Sequence, residues 1–383
     1  MSDGLFSDYF DESHAQFREI CQRFTREELT PNAWQWEEQG SFPKELYQKA
    51  ADAGVLAPSW PEELGGGGGD VFHSVVAGEE LLRAGSTGTV VGLSTHLIAL
   101  PPIHTLGTRE QMERFISPVL AGEKISALAI TEPGTGSDVA GVRTTAKRDG
   151  DSYILNGSKT FITSGARGDI IVVLARTDTD PHQGLTFFVV ESGTPGFEVS
   201  KCLQKTGWWA SDTAELHFDD CRVPLENRIG EEGSGFIALM KNFEGERLTL
   251  AVNGYAIAQI CLEEAAAYSK QREAFGKPIG RFQVTRHKLA QMATKVAASK
   301  ALTYACAHQM RAGNPVMTQI AMAKNLAATT AMEVSYEAVQ IFGGMGYMRE
   351  TLVERLSRDA RLLPIGGGTQ EIMNELIARG LGY

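Results

Sequence analysis

Within Phe243-Glu244-Gly245-Glu246-Arg247-Leu248 a carboxylate and a guanidinium stand side by side in an otherwise apolar helical pattern. Leu239 and Phe243 precede Glu246 by seven and three residues, and Leu250 follows it by four, spacings that share one helix face. Arg247 relates in the same way to Met240, Phe243, Leu250 and Ala251. Burying a lone charge is costly, so such a pair needs a reason. It is either a structural ion pair between packed helices, or a base whose pKa burial has raised and which faces a ligand. A second stretch, Ile130-Thr131-Glu132-Pro133-Gly134-Thr135-Gly136-Ser137-Asp138, can turn several backbone N–H groups toward an electron-rich ligand edge. A plain β-turn has the same composition. Phe161-Ile162-Thr163-Ser164 sets an aromatic ring beside two hydroxyls, which suits one face of a planar cofactor and equally suits an ordinary strand.

The elements that must position these residues change character along the chain. Phe6, Phe10, Phe17, Ile20 and Phe24 keep approximate helical spacing up to Pro31, and further helices are predicted over Lys44–Ala53, Phe72–Leu82 and Arg109–Leu120. Gly65 to Gly69 read as a mobile loop; no G-K-[ST] follows to make it a phosphate cradle. From about Ile125 short strands are expected at Thr144–Arg148, Ser152–Leu155, Thr160–Thr163, Ile170–Ala175, Leu185–Val190, Phe197–Ser200 and Ala214–Phe218. Asp149-Gly150-Asp151 and Asn156-Gly157 carry hairpin chemistry between the first of them. From Gly235 the chain is helical in long Ala-rich stretches that reach Ser269, then span Phe282–Met310, Val316–Phe342 and Gln370–Arg379. Four such helices suit an antiparallel bundle. The expected organisation is mainly α with a central β domain: an N-terminal helical domain at 1–124, an antiparallel β-barrel or sandwich at 125–232, and a C-terminal four-helix bundle at 233–383.

Composition excludes several functions. A formal charge of −11 argues against nucleic acid or an anionic membrane surface as partner. Five scattered cysteines with no C-x-x-C pair read as reduced thiols, and the histidines show no ligand spacing, so no metal site is inferred. Residues Ala84 to Thr108 carry no Asp, Glu, Lys or Arg; Gly, Ser, Thr, two His and Pro101-Pro102 break the run, which reads as a buried helix and turn and not a membrane span. No signal or transit peptide is seen, so a cytoplasmic, reducing location is expected.

Taken in order, these motifs resemble the acyl-CoA dehydrogenase family, closest to long-chain and branched-chain members. T-E-P-G-x-G-S-D matches at 131–138, N-G-x-K-x-x-I-T at 156–163 and S-D-T-A-E-L at 211–216. The match continues through Val223-Pro224, Arg272-Glu273-Ala274-Phe275-Gly276 and Gln340-Ile341-Phe342-Gly343-Gly344-Met345-Gly346-Tyr347 to Gly367-Gly368-Thr369-Gln370-Glu371-Ile372. The resemblance implies FAD held between the β domain and the bundle, and oxidation of the α–β bond of an acyl-CoA thioester. It places Thr131 at the flavin ring with Leu128, Ile130 and Gly136 alongside, and Phe161 (where the family usually has Trp) with Thr163 at its flank. Arg272, Phe275, Gln283, Gln340, Gly343 and Gly344 match positions that contact a neighbouring subunit's FAD, which implies a dimer and, by family habit, a tetramer built as a dimer of dimers. Thr369 and Glu371 complete the cofactor set, and Ser137, Glu244, Arg247, Gly367 and Gly368 form the substrate set.

One departure is informative. Many members carry the catalytic glutamate immediately before the final Gly-Thr, and here Gly366, Gly367 and Gly368 offer no carboxylate. The alternative family position, on the first long C-terminal helix, matches Glu246, with Glu244 as the fallback and Arg247 orienting the base or the thioester. The resemblance also implies that the Gly367 N–H binds the thioester carbonyl, and that electrons pass to an electron-transferring flavoprotein. Two alternatives share the fold: an oxygen-using oxidase or related flavin enzyme, and a non-catalytic scaffold. The expected substrate is a medium-chain, long-chain or branched acyl-CoA.

Overall fold

The computed structural model describes residues 4–383. Among these residues nine α-helices precede the sheet: α1 (Glu12–Phe24), α2 (Ala33–Gln39), α3 (Glu45–Asp52), α4 (Val71–Leu81), α5 (Thr87–Leu93), α6 (His96–Ala99), α7 (Pro101–Leu106), α8 (Arg109–Phe115) and α9 (Ser117–Leu120). Asp11 and Asp70 cap α1 and α4, each in a box closed by a histidine three residues on. The first helix therefore starts at Glu12, and Phe6 lies before its cap. The run from Ala84 to Thr108 folds as three short helices, α5 to α7, broken where Ser94-Thr95 and Pro101 interrupt it.

The loop at Gly65–Gly69 is a correction to the expectation of a mobile loop. Its N–H groups donate in turn to Pro61, Ala57, Trp60 and Pro58 carbonyls at 2.8–3.0 Å for Gly66 to Gly69. A Cβ on Gly66 would overlap the Trp60 backbone. Glycines stand here because one backbone lies directly on another, leaving no room for side chains.

Eight strands follow: β1 (Ser126–Ala129), β2 (Thr145–Asp149), β3 (Ser152–Thr163), β4 (Ile170–Arg176), β5 (Leu185–Glu191), β6 (Phe197–Cys202), β7 (Thr213–Pro224) and β8 (Arg228–Ile229). They form one sheet in the order β6-β7-β3-β2-β4-β5-β8, with β1 added beside β4. The sheet is mixed and not purely antiparallel, because β1 runs parallel to β4 and β2 meets β4 in parallel at Thr145 and Arg176. Asn156-Gly157 makes no hairpin. It is a bulge inside the continuous β3, where Asn156 exchanges hydrogen bonds with Asp220 of β7.

The C-terminal region holds three long helices, α10 (Gly235–Gln271), α11 (Gln283–Arg311) and α12 (Met317–Phe342), and two short ones, α13 (Leu352–Ala360) and α14 (Gln370–Gly380). The hairpin β9 (Glu273–Ala274) and β10 (Lys277–Pro278) joins α10 to α11. The sequence reading missed α13, whose run of Arg, Ser and Asp hid a strongly amphipathic helix. One apolar core joins α1 to α5 with the bundle, where Phe72 meets Tyr304. A second joins α6 to α9, one sheet face and the start of α10; a third fills the other sheet face. Among the described residues no helix is long and apolar enough to cross a membrane.

Candidate active site

Glu246 lies on α10 and is partly buried, with no hydrogen-bond or ion-pair partner among the described residues. Desolvation pushes its carboxyl above the ordinary glutamate range, against the opposing pull of Arg247 and Lys324. Opposite it runs the Gly366–Gly368 segment. A Cβ on Gly367 would stand 3.4 Å from Glu246 Oε1 and would overlap Leu250. Gly367 also has a φ of +64°, where any larger residue is strained. Position 367 is thus closed to a glutamate by both sterics and backbone, with Leu250 and the Glu246 carboxylate directly against it.

The ion-pair reading of Glu246 and Arg247 is not what the structure shows. Successive helix residues point about 100° apart, and Arg247 turns its Nη1 to Met317 Sδ at 3.0 Å and its guanidinium over the Phe243 ring at 5.1 Å. It forms no hydrogen bond to Glu246, so the expected direct orienting contact is absent. Arg247 is buried with its Nε unpartnered. Glu244, two residues from Glu246, points away from the Gly367 side by the same helical geometry.

The predicted flavin turn is assembled by residues the sequence reading passed over. Lys159 of β3 is fully buried and donates to Glu132 Oε1 and to the Ile130 carbonyl, both at 2.9 Å. Glu132 in turn accepts the Arg143 and Thr144 N–H groups at 2.8 Å. Burial lowers Lys159 to about 8, while Lys159 and those N–H groups hold Glu132 below its usual range against its own desolvation. The Thr160 N–H donates to the Thr131 carbonyl at 2.9 Å, fastening β3 to the turn. A register shift between Lys159 and Ile162 then swings Phe161 outward at φ +61°, leaving it 67 % exposed. Leu128, Ile130, Thr131, Gly136, Ser137, Phe161 and Thr163 therefore share one neighbourhood. Gly136 and Ser137 are exposed, with open space at Gly134.

The other predicted cofactor residues gather elsewhere. Phe275, 94 % exposed at φ +52°, tips the β9–β10 hairpin; Arg272 and Gln283 flank it, and Gln340, Gly343 and Gly344 end α12. A Cβ on Gly343 or Gly344 would meet nothing within 4 Å. Thr369 caps α14 by accepting the Ile372 N–H, and Glu371 is exposed in its first turn. Two exposed phenylalanines on strained backbone, each beside open glycines, fit a planar ligand that covers them.

Models of the acyl-CoA dehydrogenase N-terminal, middle and C-terminal domains match residues 11–123, 127–221 and 233–382. The chain belongs to the acyl-CoA dehydrogenase family. It is 42 % identical to the mouse mitochondrial long-chain specific acyl-CoA dehydrogenase over 97 % of this chain and 86 % of that protein. It is 39 % identical to the short-chain specific enzyme of Clostridium acetobutylicum over 94 % and 96 %. The acyl-CoA dehydrogenase structure from Geobacillus kaustophilus superposes with a TM-score of 0.95 at 41 % identity, covering 98 % and 99 % of the two chains. Family members bind FAD, and a glutaryl-CoA dehydrogenase from Mycobacterium smegmatis, 28 % identical over 98 % and 96 % with a TM-score of 0.92, was solved with FADH2. This acyl-CoA dehydrogenase is accordingly a flavoprotein oxidoreductase of fatty acid β-oxidation chemistry.

Sequence reasoning could have found two further residues of the acyl-CoA dehydrogenase site. Lys159 sits inside the quoted N-G-x-K motif, and a lysine at an inward strand position signals a buried partner. Lys324 is the one basic residue of the Ala-rich α12, and it donates to the Gly368 carbonyl at 2.7 Å. Farther off, His14, Asp70 and His73 bring three donor atoms close together. His14 Nδ1 accepts the Asp11 N–H and His73 Nδ1 the Asp70 N–H, each at 3.1 Å, and Arg311 stands 3.3 Å from Asp70. These residues are best accounted for as helix caps.

Proposed function

We propose that this acyl-CoA dehydrogenase desaturates a medium-chain, long-chain or branched acyl-CoA with Glu246 as the base, and delivers electrons to an electron-transferring flavoprotein. The observation that carries the reading is an unpaired, desolvated carboxylate facing the Gly367 backbone, in a Gly366–Gly368 segment that offers no carboxylate of its own. Bound FAD supplies the two-electron acceptor for the hydrogen that leaves the β-carbon. The neighbourhood of Thr131, Phe161 and Thr163 would hold its ring, and Arg272, Phe275, Gln283, Gln340, Gly343 and Gly344 would close on the cofactor of a second copy. A homotetramer fits the exposure of Phe275 and of Tyr347.

The chain's own work is proton abstraction. Glu246 takes the α-proton of the thioester, and the Gly367 N–H donates to the thioester carbonyl as charge develops there, which is the role of an oxyanion hole. Apolar neighbours Phe243 and Leu250 keep water from the carboxylate and so make it a stronger base. The long-chain or branched assignment rests on a helix-borne glutamate, together with likeness to the long-chain relative. Anaerobic titration of the purified protein with acyl-CoAs of graded length and branching tests it. Bleaching of the flavin by long or branched thioesters is expected, and bleaching by butyryl-CoA alone would refute the chain-length assignment. Glu246→Gln is expected to keep FAD and to lose flavin reduction by roughly 10²–10⁴-fold, the usual worth of a general base. Full bleaching at the wild-type rate would remove Glu246 from the mechanism.

A further inference from the structure

Lys324 is fully buried on α12, between Ala323 and Asn325. Its Nζ donates to the Gly368 carbonyl at 2.7 Å, its one protein acceptor among the described residues. An ammonium carries three N–H donors, and leaving two without an acceptor in the interior is expensive unless charge lies nearby. Such charge is present. The charges of Arg247 on α10 and Lys324 on α12 both act on Glu246 and oppose one another, while Glu371 of α14 acts on Lys324 and Glu244 on Arg247. Arg247 commits its Nη1 to Met317. Lys324 therefore does two things at once: it grips the glycine segment opposite the carboxylate, and it brings a buried positive charge to the same place.

Building on the reading of Glu246 as the base, we propose that Lys324 is its positioning residue, holding Gly367 and Gly368 in register with the carboxylate and keeping that carboxylate ionised. A neutral side chain at 324 would leave Glu246 desolvated with only Arg247 to oppose protonation, and Arg247 is turned elsewhere. The role is electrostatic as well as steric, which separates it from ordinary packing.

The test compares wild-type holoenzyme with Lys324→Gln, which keeps a donor for Gly368 but loses the charge, and with Lys324→Arg, which keeps both. The Glu246 carboxyl band is assigned in infrared difference spectra by its loss in Glu246→Gln and is then titrated. In Lys324→Gln its midpoint is expected to move to higher pH. The acid limb of the limiting rate of flavin reduction by saturating palmitoyl-CoA is expected to move to higher pH with it, so that the rate falls most on the acid side, with thioester affinity little changed. The gap should narrow above pH about 8, where burial has begun to strip the wild-type lysine of its own proton. Lys324→Arg should restore both readouts. An unchanged infrared midpoint, or a rate loss equal at every pH, would overturn the proposal, as would loss of FAD from both variants. If wild-type enzyme is reduced by no acyl-CoA, it is the Glu246 reading that fails, and the infrared titration still judges Lys324.

Discussion

Glu246 draws its chemistry from what is missing around it. No hydrogen bond or ion pair neutralises it among the described residues, and desolvation raises its pKa. With Glu246 as the proposed base, a protonated carboxyl cannot accept the α-proton, so the rate of flavin reduction should fall as pH drops through this raised value. The acid limb is expected above the range of an ordinary glutamate, and a limb at or below that range in stopped-flow profiles would show the carboxylate to be better solvated than the structure indicates. Lys159 behaves in the opposite sense, since its charge is matched by Glu132 in a closed interior. Removing one partner of such a pair typically costs roughly 3–5 kcal/mol. Lys159→Met should therefore lower the melting temperature and release FAD, both measurable by thermal denaturation with flavin fluorescence. Glu246 drew notice because a carboxylate broke an apolar helical pattern, and the family resemblance chose a base over an ion pair. Lys324 did not, because a lone lysine among alanines does not reveal which segment, distant in the chain, it will meet.

At the scale of elements, the site depends on two backbone irregularities. The bulge near Thr160 turns Phe161 out of the sheet, and the left-handed Gly367 lies against Leu250 and Glu246 of α10. Gly367→Ala would force a Cβ onto Leu250 at a φ that costs an L-residue about 1–2 kcal/mol. It is expected to cut flavin reduction far more than it lowers the melting temperature, and equal losses in the two measurements would mean that the segment is only structural. Periodicity found nearly every long helix and most strands, since these depend on residues close in sequence. It read Asn156-Gly157 as a hairpin because hairpin and bulge use the same residues, and only the partner strand β7 decides between them. The parallel pairing of β1 with β4 was hidden for the same reason. The glycine run at 65–69 read as mobile because sequence shows the absence of side chains but not the backbone that fills their place.

Across the whole molecule, three regions meet at a buried carboxyl. Asp359 of α13 accepts the Trp208 N–H at 2.6 Å from the loop before β7, near Glu37 of α2, which accepts the Ser86 hydroxyl at 2.6 Å. Desolvation, with Glu37 adding to it, pushes Asp359 up to about 7. The folded protein then holds a proton that the unfolded chain has released above about 4. The stabilising contribution is complete below that value and is lost as pH rises toward 7. Asp359→Asn keeps the acceptor for Trp208 without the titration, so its melting temperature should vary less between pH 5 and pH 8 than that of the wild type. An identical slope would show that other groups set the dependence. The core shared by the N-terminal helices and the bundle carries a further consequence. Glu79 of α4 finds Tyr255 and Lys300, and the Tyr304 hydroxyl at 2.5 Å, more than 170 residues downstream in each case. During synthesis Arg18 and the apolar residues of α1 can cover part of α4 early, but the rest of its buried face must wait until α10 and α11 have left the ribosome, which leaves the nascent first third of this chain partly exposed.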